Sequence, residues 1–341
     1  MGTKARWLIA AIGIFGLNLG VARAATEEFY KGKTIRLIVG LAAGGGYDVY
    51  SRAIARHMGK HIPGNPVVVV ENMVGAGSIL SANYVYKVAR PDGLTIGHFL
   101  GGLFLQQLLG KPGLEFDSLK FEYLGVPAQD HFLVVVHKST GITDIEQWIA
   151  SKKVLTFGGV TPGGGTDDIP HILRATIGLP VRVVSGYKGT ADIRLAFNSG
   201  EVSGVSNAWE SLKVTWAKEY ESGDAVIVLQ AAMRTHPELT KIPVAVNLIK
   251  TDEGKKLLQT VLRGHGPSVR PYAVAPGTPK ERLQLLRKAF TATMKDPEFL
   301  AEAKKSKLDI NPLTGEELEE NVREIFRLDR DLAEKIKDIL K

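Results

Sequence analysis

Thr34-Ile-Arg-Leu-Ile-Val-Gly-Leu41, Ala42-Ala-Gly-Gly-Gly46 and Tyr47-Asp-Val-Tyr-Ser-Arg-Ala-Ile-Ala-Arg56 follow one another without a break. The first is a short, β-branched apolar run of the kind a buried parallel strand needs. The last puts Val49, Ala53 and Ile54 on one helical face and Arg52 and Arg56 on the other. A strand therefore feeds a helix through a glycine loop, with Asp48 placed to complement the helix dipole. Pro63-Gly-Asn-Pro66 ends the helix and Val67-Val-Val-Val-Glu71 supplies a second strand, completing a βαβ unit.

The same layout returns about one hundred residues later. Val154-Leu-Thr-Phe157 reads as a strand, Gly158-Gly-Val-Thr-Pro-Gly-Gly-Gly165 as the loop and Thr166-Asp-Asp168 as a cap cluster. A helix is expected over Ile169 to Ile177, closed by Gly178-Leu-Pro180 before the strand Val181-Arg-Val-Val184. A single glycine loop is a tight turn by default. Two in register, one in each half, point to a shared purpose. Glycines let a ligand approach the backbone, and the first N–H groups of a helix have no internal partner. Loop and dipole together make an anion site that needs no cationic side chain. Two such sites facing each other would hold both ends of a dianion, or one carboxylate between two lobes.

The chain has 341 residues, 44% hydrophobic and 23% charged, with 37 Gly, 16 Pro, no Cys and a formal charge of +7. These fractions exclude disorder and a collagen-like repeat, and the length suffices for two cores. The lack of Cys removes disulfide scaffolds, thiolate metal sites and cysteine nucleophiles together. Lys and Arg are dispersed, so nothing marks a nucleic-acid surface. Lys4 and Arg6 precede the apolar run Trp7 to Ala22, and Ala22-Arg-Ala24 follows the A-x-A pattern. Residues 1–24 therefore read as a cleavable secretory signal, too short for the ~20 residues that span a bilayer. The alternative is an uncleaved anchor. With no Cys to acylate, the exported chain is expected to be soluble and free of lipid.

Rival chemistries find little support. Gly44 and Gly46 with Glu71 invite a dinucleotide fingerprint, but its third small residue is Val49 here. No P-loop exists, because Gly45 is followed by Gly46-Tyr47. His57 and His61 have the i, i+4 spacing of zinc ligands but lack the H-E-x-x-H pattern. No Ser stands in a nucleophile elbow. No catalytic residue, metal or cofactor is expected, and the chain is not read as an enzyme.

The stretch Ile35 to Asp48 resembles the Bug receptors, the substrate-binding proteins of tripartite tricarboxylate transporters. So do Val67-Val-Val-Val-Glu-Asn72, Gly75-Ala-Gly77, Arg90-Pro-Asp-Gly-Leu-Thr95, Gly186-Tyr-Lys-Gly-Thr-Ala191, Gly200-Glu-Val202 and Ala275-Pro-Gly-Thr-Pro279. The resemblance implies a type II periplasmic binding protein of the Venus-flytrap kind. It would have two α/β lobes, each a mainly parallel sheet with flanking helices. The first lobe would comprise residues 25–126 and 232–341 and the second 127–231, with crossings near Val126-Pro127 and Ala231-Ala232. Val226 to Leu229 would be the returning strand, and the amphipathic stretch Glu316 to Ile339 would pack on the first lobe. Implied partners are a small organic anion, typically a carboxylate, and membrane permease subunits; a monomer is expected. A sensor presenting ligand to a signalling kinase would share fold and site.

The ligand-binding residues expected on these grounds are Ala43, Gly44, Gly45, Gly46, Tyr47 and Asp48 in the first loop. Thr161, Pro162, Gly163, Gly164, Gly165, Thr166 and Asp167 form the second set, joined by Gly101, Gly102, Tyr187, Asn207 and Trp209. Two of these depart from the family. Tyr47 stands where a small hydroxyl is usual, and is expected to stack on the ligand or close it off. Asp167 replaces a His, and an acid facing the cleft would repel a second carboxylate.

Overall fold

The computed structural model describes residues 29–341, so the signal segment, residues 1–24, lies outside the described residues. Its strands are β1 Thr34–Val39, β2 Val67–Asn72, β3 Thr95–His98, β4 Glu122–Val126, β5 Phe132–His137 and β6 Leu155–Gly159. They continue as β7 Val181–Ser185, β8 Gly204–Ala208, β9 Ala225–Ala231, β10 Tyr272–Val274 and β11 Leu313–Thr314. Two sheets result, ordered β11-β4-β10-β3-β1-β2 and β7-β6-β8-β5-β9. In the first, β1 pairs in parallel with β2 and β3, while β10 runs antiparallel between β3 and β4. In the second, β6 pairs in parallel with β7 and β8, while β5 runs antiparallel between β8 and β9.

Apart from β11, which pairs antiparallel with β4 at the outer edge of the first sheet, the two orders are the same pattern. In each, the antiparallel insert is the first strand laid down after the chain has crossed from the other sheet, β5 after β4 and β10 after β9. Both glycine loops therefore leave the carboxyl end of a strand inside a mainly parallel sheet, where open α/β sheets bind ligands. Helices flank each sheet, so the fold is the two-lobed α/β architecture that the sequence implied. Val226 to Leu229 belong to β9, an edge strand of the second sheet, and the chain crosses back after it.

The C-terminal helices divide between the lobes, so the expectation that Glu316 to Ile339 packs on the first lobe holds only for its first half. Gly315–Phe326 packs on β4, whereas Asp252–His265 and Arg330–Ile339 pack on the Gly165–Ile177 helix of the second lobe. Thr314 caps the first of these with Glu317 in a reciprocal capping box. Cores of aliphatic and aromatic side chains fill the space between sheets and helices; a cluster of Phe99, Phe104, Phe116, Phe121 and Tyr123 packs beside the first sheet.

The residues that suggested rival chemistries are engaged in structure. Glu71 is held bidentately by Arg36 of the neighbouring strand, at 2.9 and 2.7 Å, and is not free for a ribose. His57 bonds Glu302 at 2.8 Å and His61 bonds Asp296 at 2.6 Å, tying their segment to the Pro297–Lys305 helix. His57, Asp296 and Glu298 do bring ligand atoms within 4.8 Å of one another. Lys60 bonds both carboxylates, at 2.7 and 2.5 Å, so an ammonium already occupies the position a metal would need.

Candidate functional site

Both glycine loops are built alike. Gly44 and Gly163 have φ of +81° and +94°, a conformation open to glycine at little cost. Gly45 and Gly164 follow as the N-cap residues of Gly46–Met58 and Gly165–Ile177, and neither helix has a side-chain cap. The second helix begins at Gly165, four residues earlier than the Ile169 expected, so Thr166-Asp-Asp168 form its first turn.

The acids of these first turns reach back rather than forward. Asp48 accepts from Gly44 N–H at 3.0 Å, Asp167 from Thr161 N–H at 2.9 Å and Asp168 from Gly163 N–H at 2.9 Å. They consume the loop's N–H groups and leave those of the helix starts unspent. Asp167 is also bonded by Thr166 and Ser185 and is almost fully buried beneath its loop. It does not line the cavity described next, its carboxylate being turned under the loop. Burial pushes its carboxyl above the usual range, against those hydrogen bonds.

Both helix starts open onto one partly open cavity of about 50 Å³ between the lobes. Of the expected residues, Gly45, Gly46, Tyr47, Gly164, Gly165, Thr166 and Asn207 line it. A third helix, Thr190–Ser199, also begins at its wall, through Gly189 and Thr190. An outer groove of about 500 Å³ lies beyond and takes in Thr161, Pro162 and Tyr187. Leu41 and Val160 line both spaces and form the neck between them.

The other expected residues line neither space. Ala43 and Gly44 are exposed on the loop's outer turn. Asp48, Gly163 and Asp167 brace the loops. Gly101 and Gly102 are contact points, where a Cβ would stand 1.7 Å from Ser268 O and 2.0 Å from Gly163 O. Trp209 is core, packed edge-on against Tyr220 with its indole N–H on Glu238.

Arg270 and Asp130 are the charged pair among the cavity residues that sequence reasoning missed, which also include Phe132, Thr190 and Ser211. Their ion pair, Nε to Oδ1 at 2.6 Å, is buried, the side chains being 1% and 3% exposed. Asp130 sits on the crossing between β4 and β5, and Arg270 just before β10, so the pair ties the two crossing regions together. The Arg270 guanidinium lies 4.9 Å from the Tyr47 ring centre and 4.8 Å from that of Tyr50. Tyr47 also stacks on His98 at 4.6 Å and donates its hydroxyl to Val269 O. Its ring is thus locked into the wall with His98 and Arg270 against it, rather than presented to a ligand as a stacking platform. Burial and the Arg270 charge hold His98 well below its ordinary pKa, hence neutral. Among the described residues, Arg270 Nη1 and Asn207 Nδ2 are buried donors without a hydrogen-bond partner.

Glu210 lies behind this pair and accepts from His131 N–H at 2.8 Å. Burial, then the Asp130 charge, push its carboxyl up to about 8. A carboxyl raised on folding favours the folded chain below its unfolded pKa of ~4.3, and that contribution is lost as pH rises towards about 8. Glu210→Gln should remove this slope. Its melting temperature should exceed that of the parent by roughly several degrees at pH 8.5 and match it near pH 4.5. Parallel melting curves at the two pH values would show the assignment to be wrong.

Contacts between the lobes close the site. Ala42 N–H donates to Lys188 O at 3.1 Å, Lys111 Nζ to Pro162 O at 2.6 Å, and His265 Nε2 meets Asp168 at 2.9 Å. Gly77 is so tight against Thr161 that a Cβ would stand 1.9 Å from its methyl carbon. Ala76, Gly77 and Ser78 all have positive φ, a run of left-handed backbone concentrated where the lobes touch.

Comparison with known proteins gives a consistent result. The model of the tripartite tricarboxylate transporter family receptor matches residues 50–340. A UPF0065 protein from the gbd 5' region of Cupriavidus necator is 26% identical over 339 residues, covering 96% of this chain and 95% of that one. The structure of the periplasmic binding protein BugD aligns with a TM-score of 0.71 at 21% identity, covering 91% of this chain and 98% of that one. MatC from Rhodopseudomonas palustris with bound malate gives 0.70 at 19% identity, over 91% and 99% of the two chains. Rpa4515 of R. palustris with adipate gives 0.72 at 19%, over 91% and 97%. At these identities the structural likeness speaks for the fold. Among the described residues, no helix is long and apolar enough to cross a membrane.

Proposed function

The chain belongs to the tripartite tricarboxylate transporter receptor family, and from that premise we propose that it is a periplasmic receptor for a small organic carboxylate, which it passes to membrane permease subunits. The observation that carries this is the convergence of two uncapped, glycine-led helix N-termini on one cavity between the lobes. Such ends attract anions through N–H groups and dipoles. Structural neighbours holding malate and adipate support a carboxylate. The first lobe is taken as residues 25–126 with 232–341 and the second as 127–231, the Asp252–His265 and Arg330–Ile339 helices of the first reaching across to pack on the second. Ligand favours the closed arrangement through contacts made to both lobes at once. The exported chain acts as a monomer, without catalysis.

The test is a thermal-shift screen of the purified chain against mono-, di- and tricarboxylates. A ligand at about 1,000 times its dissociation constant adds ~4 kcal/mol to the folded state, a rise of several degrees. Vesicles carrying the permease subunits should take up that acid only when the receptor is added. If no organic acid shifts the melt and the denatured chain releases none, the carboxylate receptor is ruled out.

A further inference from the structure

The two helix ends that meet in the cavity are not equivalent. A Cβ on Gly165 would stand 2.1 Å from Phe132 Cε1, so that aromatic ring lies directly against the start of the second helix. At the first helix the neighbours are polar. A Cβ on Gly46 would stand 2.8 Å from Ser211 Oγ and 3.3 Å from Arg270 Nη1. Arg270 is held in place by Asp130 through Nε and by Tyr47 and Tyr50 through their rings, which leaves Nη1 as an oriented, unpartnered donor. Asn207 Nδ2, on the end of β8, is the second such donor in the lining. Buried donors of this kind are rarely left unpaired, and a carboxylate satisfies both with charge-assisted bonds.

We infer that the ligand is a short monocarboxylate with an apolar body, its carboxylate met by Arg270, Asn207 and the Gly46–Met58 helix start. This inference rests on the receptor function proposed above. Among the described residues, Arg270 is the one basic side chain in the lining, and Asp130 already shares its charge. Much of the remaining wall is apolar, formed by Leu41, Leu100, Phe132, Val160 and Val269. A second carboxylate on the same molecule would have to reach the Gly165–Ile177 helix start, where the Phe132 ring crowds the backbone, or lie beside the apolar side chains or the Asp130 carboxylate, and a buried charge without a partner is heavily penalised. Size points the same way: a cavity of about 150 Å³ accommodates benzene, and this one measures about 50 Å³. Acids of two or three carbons, smaller than benzene, fit that scale better than citrate or adipate.

Calorimetric titration separates the possibilities. Acetate and propionate should bind, the better of them at least tenfold more tightly than isovalerate, malate, adipate or citrate. The paired variant Asp130→Asn/Arg270→Gln leaves no lone buried charge. It should retain its circular dichroism spectrum and cooperative melt yet bind the best acid at least a hundredfold more weakly. Phe132→Ala should move the preference towards longer chains. Tighter binding of a di- or tricarboxylate, or unchanged affinity in the folded paired variant, would overturn the inference while leaving the receptor function standing. Failure of every organic acid, with none released on denaturation, would overturn both.

Discussion

Arg270→Gln alone is expected to be the most damaging single polar substitution at the site, lowering stability by about 3–5 kcal/mol. The reason is the residue left behind. Asp130 is 3% exposed, and its tie is the Arg270 guanidinium at 2.6 Å. Without that partner the carboxylate must ionise unpaired or stay protonated. Burial already pushes Asp130 up against the pull of Arg270, and loss of the cation pushes it further. A carboxyl raised on folding costs stability as pH increases, so the deficit of Arg270→Gln should be small near pH 4 and grow towards pH 8. At pH 7.5 a drop of roughly 10 °C in melting temperature is expected for a chain of this size. Asp130→Asn in the same molecule should recover most of it, because the paired variant carries no buried lone charge. Recovery measures the cost of the unpaired acid, whereas a paired variant as unstable as Arg270→Gln would show that guanidinium packing on Tyr47 and Tyr50 matters more.

That pair also marks the limit of what the sequence could tell. The strand, glycine loop and helix at Ile35 to Arg56, and their repeat at Leu155 to Ile177, were legible because their signals are local. β-branched runs, helical spacing and clustered glycines act within a few residues of one another. Asp130 and Arg270 lie 140 positions apart in the chain and meet only because β4 hands over to β5 near the place where β10 begins. No spacing rule carries that information. Side-chain direction was equally hidden. Asp167 lies one residue beyond Thr166, which lines the cavity, yet one helical step of about 100° turns its carboxylate under the loop. Gly186 to Ala191 stood out as a motif, but the helix that starts within it brings Gly189 and Thr190 to the cavity and leaves Tyr187 in the outer groove. Trp209 follows β8 directly, but its indole is spent on Glu238 and Tyr220.

The closure of the lobes provides the second large effect, and Gly102 is where to probe it. Its φ of −60° and ψ of −16° suit alanine as well as glycine, so the substitution adds no backbone strain. What opposes it lies across the cleft. The new methyl would stand 2.0 Å from Gly163 O and 2.5 Å from His265 Cε1. A backbone carbonyl cannot rotate aside as a side chain can, so the two lobes must move apart by the missing distance. Overpacking of this kind costs about 1–3 kcal/mol, and here it falls on the closed form. Since ligand gains affinity only from contacts made in that form, Gly102→Ala should weaken binding by roughly tenfold to a hundredfold. The ligand-free melt should change little, and small-angle scattering with ligand present should report a larger radius than the parent. Gly44→Ala serves as the control. It strains a φ of +81°, but no atom lies within 4 Å of the added carbon, so it tests loop geometry without wedging the lobes. Equal affinity of Gly102→Ala and the parent would mean that the lobes do not need to meet at Gly163 to hold the ligand. The contacts of Ala42 with Lys188, Lys111 with Pro162, His265 with Asp168 and Gly77 with Thr161 would then have to carry closure.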